Sequence, residues 1–255
     1  MTLAMVDASD GLRKLWRYFT IYGFGRTLFK AAGRLRLRPT LLAWRRRPPD
    51  IGLVGCGQFA FSTIGYFLQR RFGPRVAACH DIDPAAARSL AHALRIPHVC
   101  ASAEELMATP RLRTIYIASN HASHTPYAVR ALGAGLDVVV EKPIAVSHEQ
   151  LADLVRARRA ARGVVFAGYN RPFSGAVRWL RRCTPLDAAE GMTLQCFVSG
   201  HKLAAGHWYR RPEEGTRVCG NIGHWLDLMV HVLSWRGLPD RLDVSLPSAD
   251  RRVTD

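Results

Sequence analysis

Lys142 closes the run Asp137-Val138-Val139-Val140-Glu141-Lys142-Pro143, which passes from three consecutive valines into a carboxylate, an ammonium and a proline. Three valines in a row read as a strand buried on both faces, as in a parallel sheet. In an open α/β sheet, ligands gather at the carboxyl ends of the strands. The chain holds 32 arginines and only four lysines, so a lysine at a strand end is a chemical choice rather than a solubilising one. A free lysine, with a pKa of ~10.4, is protonated at neutral pH and a poor base. Desolvation or a neighbouring cation that lowers it to about 7–8 makes it a working acid–base group.

A second set of residues is suited to holding an anion. Gly55-Cys56-Gly57-Gln58-Phe59-Ala60 fits G-x-G-x-x-G/A directly after an apolar strand and before a helical pattern. Gly55 permits the tight turn and Gly57 lets backbone approach a pyrophosphate. Ala60 allows close helix–strand packing, and the N-terminus of the following helix favours the negative charge. Asp81, just past the next strand, can accept hydrogen bonds from both hydroxyls of an adenine ribose. The same carboxylate repels a 2′-phosphate, which favours NAD over NADP; Arg88 or an altered loop would reverse that preference.

These residues need a scaffold, and the apolar pattern supplies one. Short apolar strands over 51–54, 76–80, 98–100, 114–119, 137–142 and 164–170 alternate with helical patterns over 60–71, 84–94, 103–107, 125–133 and 147–162. Pro84 suits a helix start, and Ser102 with Glu105 resembles a capping box. Right-handed crossovers make this an α/β protein with one doubly wound parallel sheet. Beyond residue 170 the texture changes. Strands over 193–199 and 242–246 and a helix over 218–234 suggest a short, partial α+β domain. The expected organisation is a basic helical extension and linker over 1–49, a dinucleotide-binding domain over 50–170, and a substrate or oligomerisation domain over 171–255.

Composition narrows the rest. The chain has 255 residues with a formal net charge of +16, and its arginines are spread along the length with clusters near 34–47 and 156–162. Such spreading fits compositional bias better than a nucleic-acid face, although a polyanionic partner or acidic substrate stays open. Six cysteines without a CxxC pair read as small buried apolar residues of a reduced compartment. No apolar run reaches the ~20 residues needed to cross a bilayer, and a cytoplasmic protein is expected. Within 12–30 the apolar residues fall at helical spacing among basic ones, and Gly23 and Gly25 should divide the segment into two helices. Such an arm can lie on a membrane surface through residues 12–47, or pack on its own domain or a second subunit, the preferred alternative. The stretch 201–215, with Lys202, His207, Trp208, Tyr209, Arg210 and Arg211, reads either as a substrate lid or as a surface loop. His201, His207, Cys219 and His224 match no common zinc spacing, so no metal is expected.

Taken in order, several motifs resemble the glucose-fructose oxidoreductase / inositol dehydrogenase / MocA (Gfo/Idh/MocA) family. They are the Gly55–Ala60 turn, Ile115-Tyr116-Ile117-Ala118-Ser119-Asn120-His121 with His124, and Ala131-Leu132 ahead of Glu141-Lys142-Pro143. Gly168-Tyr169-Asn170-Arg171 with Phe173-Ser174 follows, then Gly220-Asn221-Ile222-Gly223-His224-Trp225-Leu226-Asp227. The resemblance covers about residues 51–235. It implies a Rossmann half that binds NAD(P), a sugar, sugar-nucleotide or cyclitol substrate, and a homo-oligomer.

It also implies roles by position. Ser119, Asn120, His121 and His124 would line the cofactor, Glu141 would hold the nicotinamide ribose region, and Asn170 would sit near the nicotinamide. Lys142 would bridge cofactor and substrate, with His224 the substrate-side histidine. Taking hydride from a secondary alcohol requires the hydroxyl proton to be accepted at the same time, which suits Lys142 with His224. Many members carry an aspartate four residues before that histidine; here the position is Gly220. Asn221 can orient a substrate but cannot take a proton. Asp227, three residues after His224, shares its helical face and can orient the imidazole or pair with an arginine. The expected activity is hydride transfer between nicotinamide and a sugar-like hydroxyl or carbonyl. The alternative is a catalytically impaired nucleotide-binding relative acting as a regulatory or assembly subunit.

Overall fold

The computed structural model describes residues 13, 16–35, 37, 48–184, 193–198, 203–204, 206–215, 218–238, 241, 243 and 245. Six strands form one sheet: β1 (Ile51–Val54), β2 (Val76–His80), β3 (His98–Val99), β4 (Thr114–Ile117), β5 (Asp137–Val140) and β6 (Val165–Ala167). Their order is β3-β2-β1-β4-β5-β6, and β1 runs parallel to both β2 and β4, as β2 does to β3. This is the doubly wound order of a Rossmann fold. Every residue of β1 and β2 is buried. On β5 the burial alternates, with Val138 and Val140 fully buried and Asp137 and Val139 only half-buried. The valine run therefore has one closed face rather than two, because the sheet is incompletely covered there.

The helices begin where local chemistry can start them. Pro84 occupies the first turn of α3 (Pro84–Leu94), and Asp83 accepts the Ala85 N–H at 2.8 Å. Ser102 accepts the Glu105 N–H at the start of α4 (Ala103–Met107), and Glu105 accepts the Ala101 N–H. Each cap satisfies a donor that the helix cannot, and its loss costs about 1 kcal/mol. The helix expected over 60–71 forms in two parts, a π-helical segment Ala60–Gly65 running into α2 (Tyr66–Phe72).

Contact density divides the chain into two units. Unit 1 comprises 1–119, 130–139 and 161–164, and unit 2 comprises 120–129, 140–160 and 165–255. In unit 1 the core gathers Leu53, Phe61, Cys79, Leu90 and Leu94. The N-terminal helix α1 (Phe24–Leu35) adds Phe29, which is buried with its ring 5.3 Å from Phe61 and 5.1 Å from Tyr66. Gly23, at φ +80°, separates α1 from the helical residues 16–22, whereas Gly25 lies inside α1.

The helix α5 (His121–Gly133), whose first nine residues belong to unit 2, starts four residues before the helix expected over 125–133. Pro126 lies inside it and cannot donate to the Ala122 carbonyl. Gln150, on α6 (His148–Ala160), donates to that carbonyl instead at 2.9 Å. Further on come α7 (Gly175–Cys183), capped by Ser174, and α8 (Gly223–Leu233), preceded by a π-helical turn, Val218–Ile222. The strand expected over 193–199 does not form among its described residues 193–198, where Phe197 is 92% exposed. An apolar stretch is held as a strand by a neighbouring strand and a packed face, and no such partner stands beside it among the described residues. The strand expected over 242–246 lies largely outside the described residues. Cys56, Cys79 and Cys100 are buried and outside any disulfide, as expected, while Cys183 and Cys196 are exposed.

Candidate functional site

The glycine turn sits at the end of β1 in unit 1. Gly55 has φ +90°, and a Cβ there would lie 2.5 Å from the Ala118 backbone, so no side chain fits. The Phe61 N–H donates to the Gly57 carbonyl at 3.1 Å, so helical bonding starts at Gly57, where an added Cβ would meet nothing within 4 Å. Open backbone at a helix start is what a pyrophosphate needs. Ala60 is fully buried, as the motif requires, while Phe59 is exposed and Gln58 reaches the Lys30 carbonyl at 3.5 Å. Asp81 accepts the Cys56 N–H at 2.6 Å through one oxygen and the Asp83 N–H at 2.9 Å through the other. The carboxylate thereby fixes the turn, and each oxygen keeps a lone pair for a ribose hydroxyl. These residues fit an NAD adenosine and pyrophosphate.

Unit 2 carries the lysine. Lys142 Nζ donates to the Tyr209 hydroxyl and to the Gly220 carbonyl, both at 2.9 Å. An ammonium has three donors, so among the described residues one is left for a ligand oxygen. The segment behind Lys142 is stapled to α5 at two places. His124, fully buried, has Nδ1 2.8 Å from the Pro143 carbonyl, and Thr125 Oγ1 donates to the Ile144 carbonyl at 2.7 Å. Because a carbonyl can only accept, the His124 proton is on Nδ1. Burial pushes the Glu141 carboxyl up to about 7. The side chain has room because a Cβ at Gly168 would come within 2.9 Å of its Oε2.

Gly220 is where the structure explains the departure from the family pattern. A Cβ at this position would lie 2.8 Å from His121 Cε1 and 3.0 Å from Tyr209 Cε2. The tyrosine ring and the imidazole, 4.5 Å apart between centroids, occupy the space an aspartate side chain would need. The lysine is therefore met by a phenol and a backbone carbonyl instead of a carboxylate.

Glu214 and Tyr209 are the residues that sequence reasoning missed. Glu214 is buried; it accepts the Ala122 N–H at 3.0 Å and the Asn120 side-chain amide at 2.7 Å, while its backbone carbonyl is 3.1 Å from His121 Nδ1. A carboxylate at the N-terminus of α5 satisfies an orphan donor and meets the positive end of the helix dipole. Its signal in sequence was weak, a glutamate in a loop read for its cations. Tyr209 lay in that same loop, recognised as bulky but given no partner.

Burial, followed by the charges of Arg171 and Lys142, lowers the His224 imidazole to about 4. Burial likewise lowers His121 to about 4. Both rings are neutral at pH 7. Among the described residues His224 Nδ1 and Asp227 Oδ2 are each buried without a hydrogen-bond partner, so these two atoms do not form the imidazole–carboxylate bond that was one of the two roles open to Asp227. Burial raises the Asp227 carboxyl. The His224 ring meets Tyr169 edge-on at 5.8 Å. Asn170 is exposed and precedes the short turn Arg171–Phe173, whereas Ser119 and Asn221 are half-buried. Among the described residues no cluster of His, Cys, Asp or Glu could hold a metal ion.

The sequence profile of an oxidoreductase family with an NAD-binding Rossmann fold, that of Gfo/Idh/MocA, matches residues 50–169. Over these residues the chain is similar to the Gfo/Idh/MocA family. The inositol 2-dehydrogenase of Ralstonia nicotianae is 30% identical over 192 residues, 73% of this chain and 53% of that protein. The inositol 2-dehydrogenase of Acidothermus cellulolyticus is 31% identical over 172 residues, 65% of this chain and 46% of that protein. The crystal structure of an NAD-binding protein from Listeria innocua shares the fold, with a TM-score of 0.58 at 21% identity over 72% of this chain and 54% of that one. The chain spans about half the length of the curated relatives it matches. Tyr209, Glu214, Gly220 and His224 all lie beyond the segment that carries the family match.

Proposed function

We propose that this protein is a Gfo/Idh/MocA-type, NAD-dependent oxidoreductase acting on a secondary hydroxyl of a cyclitol, sugar or sugar nucleotide. The observation that carries the reading is Lys142, held at the end of β5 by Tyr209 and Gly220 with one donor to spare. The inositol 2-dehydrogenases among its relatives support the substrate class. NAD supplies the hydride acceptor.

Each residue then has a task. The Gly55–Ala60 turn and Asp81 hold pyrophosphate and adenine ribose, Asp81 favouring NAD over NADP. Glu141, with Ser119, Asn120 and Asn170, serves the nicotinamide side. His121 and His124, buried and bonded to carbonyls, position the walls of the site. In oxidation the Lys142 ammonium would first release a proton through the Tyr209 hydroxyl to solvent, and the resulting amine would take the substrate hydroxyl proton as the carbinol hydride leaves for NAD; in reduction the ammonium would return that proton to the carbonyl oxygen. His224, neutral and with Nδ1 unpartnered, accepts or donates a bond to a neighbouring substrate hydroxyl, an interaction that only a neutral ring offers in both senses. Asn221 orients the substrate, and Asp227 stays behind His224.

Titration of the purified protein with NADH, followed by turnover on a panel of cyclitols, polyols and sugar nucleotides, tests the reading. Binding with turnover on at least one panel member is expected. Binding without any turnover would instead favour a regulatory role.

A further inference from the structure

The helical arm of unit 1 has two apolar faces, and the fold uses only one. On α1, Phe29 is buried against Phe61 and Tyr66. At 3.6 residues per turn, Phe24, Leu28 and Leu35 fall within about 40° of one another on the opposite side. With Trp16, Ile21 and Tyr22 just before them, these large side chains are each between 53% and 71% exposed. Exposed apolar residues scattered singly mean little, but a contiguous set on one arm marks an interaction surface.

The charge in this part of the sequence has one sign. Residues 11–49 contain eleven Lys and Arg and no Asp or Glu. Some of the cations brace the arm: the Arg26 guanidinium lies over the Tyr22 and Phe67 rings at 5.2 and 4.6 Å and donates to the Tyr18 hydroxyl at 2.9 Å, and Lys30 Nζ sits 3.8 Å above the Tyr18 ring. Others, such as Arg17 and Arg34, are exposed.

We propose that the outward face of this arm docks the protein on an anionic lipid surface. Phe24, Leu28 and Leu35 enter the boundary between headgroups and acyl chains, Trp16 and Tyr22 settle at headgroup level, and the cations meet lipid phosphates. A second copy of the chain is a poor occupant, because the exposed Arg17 and Arg34 of one arm would face those of the other. Nucleic acid offers the charge but nothing for Ile21, Leu28 and Leu35, which cannot stack on bases. No described helix is long and apolar enough to cross a membrane, so the arm lies on the surface rather than through it. This inference is independent of the reaction proposed above.

The test is co-sedimentation of the full chain with phosphatidylcholine vesicles, with and without phosphatidylglycerol, alongside a Phe24→Ser, Leu28→Ser, Leu35→Ser triple variant. That variant leaves Phe29 in place, and its melting temperature checks folding. Wild type should partition onto the anionic vesicles at least tenfold better than onto the neutral ones, less so at high salt, and the triple variant should lose at least tenfold. Should the triple variant fail to fold, the exposed charge reversal Arg34→Glu should weaken anionic binding severalfold. Equal partition of wild type and a folded triple variant would overturn the proposal. So would absence of wild-type binding, an unaltered Arg34→Glu, or a dimer in solution that the triple variant splits.

Discussion

The Lys142 ammonium and the Tyr209 hydroxyl are 2.9 Å apart, although 67 residues separate them in the chain. The Gly220 carbonyl takes a second N–H of the same ammonium. Both acceptors are neutral, where an aspartate at the same place would bring a negative charge beside the ammonium.

Tyr209→Phe keeps the ring against His121 and Trp208 and removes only the hydroxyl. A hydrogen bond to a charged group is worth about 1.5–3 kcal/mol, so kcat should fall about tenfold to a hundredfold, and the pH profile of kcat should shift. NADH affinity, measured by fluorescence titration, should stay within about twofold. An unchanged pH profile would reduce Tyr209 to a packing residue.

Gly220→Asp is the substitution a motif comparison would choose to restore activity. The structure predicts the reverse, because its Cβ would stand 2.8 Å from His121 Cε1. Overpacking of this kind costs about 1–3 kcal/mol, which a denaturant titration resolves, and turnover should drop. A variant of unchanged stability and higher activity would show that the Tyr209 and His121 rings are free to move aside.

Two groups set opposite pH trends. His224 is lowered from 6.5 to about 4, chiefly by burial. As pH falls through that window the unfolded chain takes up a proton that the folded one refuses, and stability is lost. Glu141 is raised from 4.5 to about 7, again by burial. As pH rises through that window the unfolded chain releases a proton that the folded one keeps, and stability is lost again. Melting curves across pH should therefore show Glu141→Gln gaining on wild type as pH climbs from 4.5 to about 7. His224→Asn should gain on wild type as pH falls from 6.5 to about 4. Differences that stay constant with pH would contradict both assignments.

What the sequence disclosed and what it hid divide by range. The valine run of β5, the Gly55 turn and Asp81 are local patterns, and the doubly wound parallel sheet follows from the alternation of strands with helices. The early start of α5 was hidden because its cap is Glu214, 92 residues from the Ala122 N–H it accepts. Tyr209 was hidden for the same reason, since nothing near it in sequence points to Lys142. The stretch 193–199 was misread because apolar residues make a strand only beside a partner strand, and Phe197 has none among the described residues. The missing aspartate looked like a loss until the two rings in its place came into view.

The central claim is that Lys142 moves the substrate proton. Reduced-nicotinamide formation, followed by absorbance for wild type and Lys142→Ala with NAD and the best polyol or sugar nucleotide, tests it most directly. NADH affinity is titrated in parallel on both proteins. The account predicts NADH binding within a few-fold of wild type and a loss of turnover of at least a thousandfold. Turnover by Lys142→Ala above about a tenth of the wild-type rate, roughly 1.4 kcal/mol of barrier, would contradict it.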